Sequence, residues 1–246
     1  MSIDLPSEFL SYLAKGAFEP GTRLPAIQEL SKRLGISTGK LREQLEVARR
    51  LGLVEIRPKT GIRTLEYSFF QTLHTSLQFS LALDQSHFYL FGVLRNHVEA
   101  SFWLEAVRLL LPEDKEYLQS LLDSAWEKLR GNPIQIPHFE HRELHMTIYS
   151  RVENLFVVGI LEAYWEAYES VGLNVYADYT YLHSVWTYHT KMVEAIVTNN
   201  EESGYRALVE HTGLLHNRPE LGLYQPPGQI DEAQNFGNDR LGRDVK

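Results

Sequence analysis

Apolar and polar positions alternate along this chain at a helical period almost throughout, with one short exception near the start. Between residues 24 and 63, Ile27, Leu30 and Leu34 recur at three- and four-residue intervals and predict a helix that Gly35 ends. Ser37 is placed to cap a second helix through its hydroxyl, and Leu41, Leu45 and Ala48 form that helix's apolar stripe. The exception follows at once. Leu53–Arg57 and Ile62–Leu65 read as two short strands around a Pro-Lys-Thr-Gly turn. Two helices joined by a tight turn and followed by a β-hairpin predict a winged helix-turn-helix. In that shape the second helix enters the DNA major groove and the hairpin lies along the backbone.

The helical period returns from Tyr67 and persists. Tyr67–Ala82 is apolar and helical, and longer patterns cover His87–Leu111, closed by Pro112, and Lys115–Leu129, closed by Gly131-Asn132-Pro133. Further helices are expected over Phe139–Ser150, Leu155–Val171 with Asn154 as its cap, Tyr179–Thr198 and Glu201–Leu215. The fold class is therefore mostly α: a winged domain over residues 1–66, then an antiparallel all-helical bundle over 67–218 that can host a ligand between facing helices. Residues 219–246 carry PPGQ and a Gly-Asn-Asp run without periodicity and are expected to be disordered.

Composition changes this picture in two places. The 246 residues include no cysteine, which excludes disulfides and zinc ribbons and fits a reducing compartment. Neither a secretory signal nor an apolar run of the ~20 residues a membrane span needs is visible, so a cytoplasmic protein without membrane contact is expected. Charge is the second place. The chain is acidic overall at −8, yet residues 1–64 hold 11 Lys and Arg against 7 Asp and Glu. Phosphate binding depends on such local positive charge more than on the net charge of a chain.

Histidine is the candidate chemistry of the helical region. His141 and His145 stand four residues apart in HFEHRELHMTIY and share a helix face, which His138 joins if the helix begins at Pro137. His189 and His211 lie on the two following helices. Neutral imidazole is a common metal ligand, and a pair on one helix with two more from neighbours can converge inside a bundle. A zinc-protease reading of HRELH fails on geometry: Glu143 follows His141 by two residues, about 200° around a helix of ~3.6 residues per turn. With no other glutamate placed as a base, a metal here is expected to bind or brace rather than to catalyse. Tyr164, Trp165, Tyr168, Tyr176, Tyr179, Tyr181, Trp186 and Tyr188 make this half aromatic, mostly as core.

These residues carry a resemblance to GntR-family transcription regulators of the FadR-like branch, which follow a winged domain with an FCD ligand-binding domain. It spans roughly residues 9–216 and rests on PGTRLP (20–25), the ELSKRLGIS run, LREQL (41–45), GLVEIRP (52–58) and Gly61. In the second domain it rests on Arg95-x-x-Val98-Glu99, on HRELH with Asn154, on His189-x-x-Met-Val-Glu-Ala-Ile and on His211. DNA contacts are expected from Ser37, Thr38, Lys40, Arg42, Lys59 and Gly61, with Arg42 at its family-matched position and Lys40 in a place often held by proline, where it can recover a phosphate contact. The chain departs from the family at Ala26-Ile27-Gln28, where a Ser-Glu-Arg triplet is usual, and at Ser37-Thr38 in place of Ser-Arg.

For the second domain the resemblance implies a metal held by one Asp and three His, which fall here on His141, His145, His189 and His211, with His141 in the aspartate's place. Four neutral imidazoles favour zinc, nickel or copper over magnesium and leave a divalent charge uncompensated. Arg95 matches a position that faces the effector, where a guanidinium can clamp a carboxylate; it is equally placed to pair with Glu99, four residues on. The expected function is a dimeric regulator that binds a palindromic operator under the control of a small organic acid at a divalent transition metal, zinc or nickel. Two other readings stay open: a regulator that has lost effector control and only dimerises, and a metal-dependent hydrolase fused to a winged domain.

Overall fold

The computed structural model describes residues 5–172 and 178–214, which form ten helices and one β-hairpin. Tyr176 and the tail expected over 219–246 lie outside the described residues.

The first unit holds α1 (Glu8–Gly16), α2 (Ile27–Leu34), α3 (Thr38–Arg50), β1 (Val54–Arg57) and β2 (Gly61–Thr64). The Ser37 hydroxyl accepts from Lys40 N at 3.1 Å and so starts α3 as expected. Gly35 ends α2 at φ +69°, a left-handed conformation that costs glycine little. The strands pair antiparallel, Val54 with Thr64 and Arg57 with Gly61, each within a residue of its sequence expectation. Helix α1 goes beyond that expectation. Ser7 caps it, and it delivers Phe9 and Leu10 to a core with Leu30, Leu41, Leu45, Ala48, Val54 and Ile62.

The second unit runs through α4 (Phe69–Leu83), α5 (His87–Leu109), α6 (Pro112–Arg130), α7 (His138–Ile148), α8 (Leu155–Ser170), α9 (Tyr179–Val197) and α10 (Glu201–Gly213). One boundary differs from its sequence expectation for a clear reason. Pro112 closes α5 and also opens α6, three residues before the expected Lys115, because the first helical position needs no backbone N–H. The Asp114 carboxylate accepts from Leu111 N at 2.8 Å and completes that start.

Packing explains why one end of the bundle is chemically special. α9 lies against α10 and α6, α6 against α7, α4 on α8, and α5 against both α8 and α10. The larger core gathers Trp103, Leu118, Leu144, Ile148, Leu161, Trp186 and Met192; a second one joins Leu77, Leu81 and Phe88 to Tyr164, Trp165 and Tyr168. α10 comes very close to α5, since a Cβ on Gly204 would stand 2.5 Å from the Trp103 ring. Trp103 Nε1 in turn donates to the Glu201 carbonyl at 3.0 Å. These contacts hold α5, α7, α8, α9 and α10 around one buried point. No helix among the described residues is long and apolar enough to cross a membrane.

Candidate functional site

At that point the four histidines converge. His141 and His145 project from one face of α7, His189 from α9 and His211 from α10. One ligand nitrogen from each lies within 4.8 Å of all the others. His145 and His189 are fully buried, His211 is buried, and His141 keeps partial solvent access. The Nε2 atoms of His145 and His189 stand 3.2 Å apart. Two nitrogens bound at ~2.0–2.1 Å to one tetrahedral zinc would be about 3.3–3.4 Å apart, so this spacing suits a shared ion. Without one, it suits an N–H···N hydrogen bond.

Electrostatics point the same way. Burial, followed by the neighbouring histidines and Arg95, pushes His141 and His189 well below the ordinary imidazole value of 6.5. His211 is moved in the same direction by burial, His145 and Arg95. Burial also lowers His145, against the opposing pull of the Glu99 carboxylate. The cluster is therefore neutral at pH 7, the form in which imidazole ligates a metal.

Around the histidines runs a polar shell. Arg95 Nη2 pairs with Glu99 Oε1 at 2.9 Å in a site where both side chains are enclosed. Glu99 Oε1 also lies 3.0 Å from His145 Nδ1. Burial would raise the Glu99 carboxyl, but Arg95 and His145 offset this and hold it below the usual carboxylate range. The Arg95 guanidinium stacks over Tyr164, 4.5 Å from its centroid, and Nη1 reaches Asn96. Among the described residues, six buried side-chain N or O atoms have no hydrogen-bond partner, and five belong to this shell: Arg95 Nε, Glu99 Oε2, Trp165 Nε1, His189 Nδ1 and His211 Nδ1. Each such atom costs roughly 1–3 kcal/mol when left unpaired, so their concentration at one point favours a bound group that is satisfied by them.

Two other sequence candidates fall elsewhere. His138 begins α7, but its Nε2 meets Glu169 at 3.0 Å and its ring stacks on Tyr168, so it stands apart from the cluster. Glu143 lies near Tyr117 of α6 and helps to raise its phenol, away from the histidines, as its angle on the helix requires. Of the aromatic residues, Tyr164, Trp165, Tyr168 and Trp186 are buried, whereas Tyr179 is exposed. Trp165 is the one that sequence pattern does not single out. Its ring centroid lies 4.7 Å from that of His141 and its N–H is unpartnered.

On the winged unit, Ser37, Thr38, Lys40, Arg42 and Lys59 are exposed and Gly61 is half-buried at the start of β2. Arg42 and Lys59 enter no ion pair among the described residues, whereas Arg33, Arg49, Arg50 and Arg57 each pair with a nearby glutamate. Lys40 does not stand free. Its ammonium binds Glu8 of α1, which Gln44 also contacts, and these bonds hold the Glu8 carboxyl down to about 2.

Comparison with known proteins accounts for both units. Residues 92–214 match the family model described as the FCD domain, and residues 10–63 match that of bacterial regulatory proteins of the gntR family. A relative in Escherichia coli (strain K12), named as the uncharacterized HTH-type transcriptional regulator YieP, is 24% identical over 221 residues, which cover 84% of this chain and 90% of that protein. The solved structure of Streptococcus agalactiae GntR superposes with a TM-score of 0.62 at 16% identity, over 84% of this chain and 94% of that one.

Proposed function

This chain belongs to the GntR family of bacterial regulatory proteins, with an FCD domain behind its winged helix, and we propose how it senses and responds. It is a transcription regulator of a ligand-responsive, DNA-binding class. In our reading, residues 1–66 bind one half of a palindromic operator, residues 67–218 bind the effector and dimerise, and the effector is a small carboxylate. His145, His189 and His211, with His141 as a fourth ligand, would hold a divalent transition metal, zinc or nickel. Bound there, such an ion supplies an uncompensated positive centre to which an acidic ligand is drawn. The observation that carries this reading is the convergence of four ligand nitrogens within 4.8 Å inside a shell of unpaired polar atoms.

The chain's own residues supply the rest. Arg95 Nε and Trp165 Nε1 are enclosed donors without acceptors, and both can serve a ligand oxygen. His145 and His189 are fully buried, so a ligand reaches them only when the surrounding helices part. A ligand that binds the parted arrangement better than the closed one shifts their balance, which is the thermodynamic requirement for a switch. On the DNA side, Ser37, Thr38, Lys40, Arg42, Lys59 and Gly61 form the recognition surface, with Arg42 as the unpaired cation of the recognition helix. A regulator without effector control is the second reading. What favours it is that Glu99 and Asn96 already engage Arg95.

Metal analysis of protein purified without an affinity tag, followed by gel shifts on duplexes selected from a random pool, tests the proposal. Near one equivalent of transition metal and a carboxylate-dependent change in DNA affinity are expected. Less than about a tenth of an equivalent after incubation with zinc or nickel would overturn the metal site. Metal without any ligand-dependent change in DNA affinity or thermal stability would leave the second reading in place.

A further inference from the structure

Helix α5 contributes no histidine to the cluster, yet it contributes Glu99. The side chain is completely buried, with Oε1 at 3.0 Å from His145 Nδ1 and 2.9 Å from Arg95 Nη2. Its second oxygen has no partner. The backbone is fixed as well, because the Tyr149 hydroxyl, one turn beyond His145, donates to the Glu99 carbonyl at 2.9 Å. α7 and the residue that follows it are therefore tied to Glu99 at both its side chain and its backbone.

His145 Nδ1 also lies 3.0 Å from Arg95 Nη2, which can only donate. A bare Nδ1 would accept from Arg95 but would set its lone pair against the Glu99 carboxylate. A protonated Nδ1 donates to Glu99, and Arg95 then shares the same oxygen. The second arrangement leaves Nε2 bare and turned to His189 Nε2, 3.2 Å away. The other two buried histidines have no such support, since Nδ1 of His189 and of His211 is unpartnered.

We propose that Glu99 is the positioning residue of the metal site. It fixes His145 in the Nδ1–H form with Nε2 free to ligate, and it strengthens that ring as a donor, while the charge of the ion stays uncompensated because Arg95 balances the carboxylate. Metal-bound histidines commonly donate their second N–H to a carboxylate, which orients the ring and raises its basicity. Arg95 keeps that carboxylate ionised in a buried position. The proposal rests on the metal-site reading above, and the competing role is that Glu99 serves only as the counterion of Arg95.

Zinc titration of the metal-stripped full chain against a chromophoric chelator separates these roles. Wild type should bind one zinc. Glu99→Gln should weaken zinc by about 10–100-fold and alter the visible spectrum of the cobalt-substituted protein. A purely structural Glu99 would lower the unfolding midpoint of the metal-free protein and leave zinc affinity unchanged. Because Glu99→Gln strands a buried guanidinium, the double variant Arg95→Met/Glu99→Gln is measured beside it and should show the same zinc loss. Wild-type zinc affinity in both variants overturns the role of Glu99 alone. A wild type that binds no zinc overturns the metal site and this inference together.

Discussion

The winged unit and the histidine centre hold their charges in opposite ways. On α2 and α3, Arg33, Arg49 and Arg50 pair with Glu29 and Glu46 on open surface, where such bonds contribute little and are screened by salt. A DNA phosphate can take an arginine from such a partner without leaving a buried charge behind. Arg95 and Glu99 meet in the interior, where both are buried. Removing one partner there leaves the other ion buried and unpaired. The surface proposed to read DNA is thus built from separable residues, whereas the centre that would read a ligand is built from residues that cannot be changed singly.

The largest test of that contrast is Arg95→Met. It should cost about 3–5 kcal/mol of stability in chemical unfolding, because it strands Glu99. A loss below about 1 kcal/mol would place Glu99 in a wetter setting than the structure shows.

His189→Ala comes next. Removing one of four ligands should weaken zinc by roughly 10²–10³-fold, about a quarter of the ~10–16 kcal/mol found for structural zinc sites. His141→Ala, at the partly exposed position, should lose less; equal losses would make the four ligands equivalent. Acid sharpens the same point. The cluster histidines titrate below 6.5 when folded, so at lower pH the unfolded chain binds more protons than the folded one. Stability of the metal-free protein should therefore be flat above pH 6.5 and fall as pH drops below it, read from unfolding midpoints across pH 5–8. Midpoints that rise on acidification would contradict the burial of these rings.

On the open side, Arg42→Ala should weaken binding to a selected duplex by about 1–3 kcal/mol with no change in thermal midpoint. A large loss of stability instead would show that α3 is not separable from its core. The smallest effect belongs to Glu8→Gln. It frees Lys40 from its partner, so DNA affinity should rise a few-fold and its logarithmic salt slope should steepen by about one. An unchanged slope would mean that Lys40 makes no phosphate contact.

How much of this was legible in the sequence follows the same division. The helices declared themselves through periodicity, and Gly35, Ser37, Pro112 and Asn154 marked their ends through local chemistry that needs no partner from elsewhere. The histidine set was legible because His141 and His145 share a face and because the family resemblance placed His189 and His211. What stayed hidden were meetings between distant segments. Glu99 reaches His145 across 46 residues, and Glu8 reaches Lys40 across 32, and no local spacing announces either. Arg95 was ambiguous for the opposite reason. Its partner four residues on was visible, but only the burial of both shows how firmly the pair is committed.

The spacing of the histidines along the chain has one more consequence, in polymer terms. This chain has no cysteine and so no covalent cross-link of its own. An ion shared by His141 and His211 would close a loop of roughly 70 residues through α8, α9 and α10, as a disulfide would. By the chain-entropy estimate for cross-links, closing a loop of that length withdraws about 4 kcal/mol of freedom from the unfolded state. The centre would then act as a reversible staple, and chelation would loosen the helical unit much as reduction loosens a disulfide-bonded one.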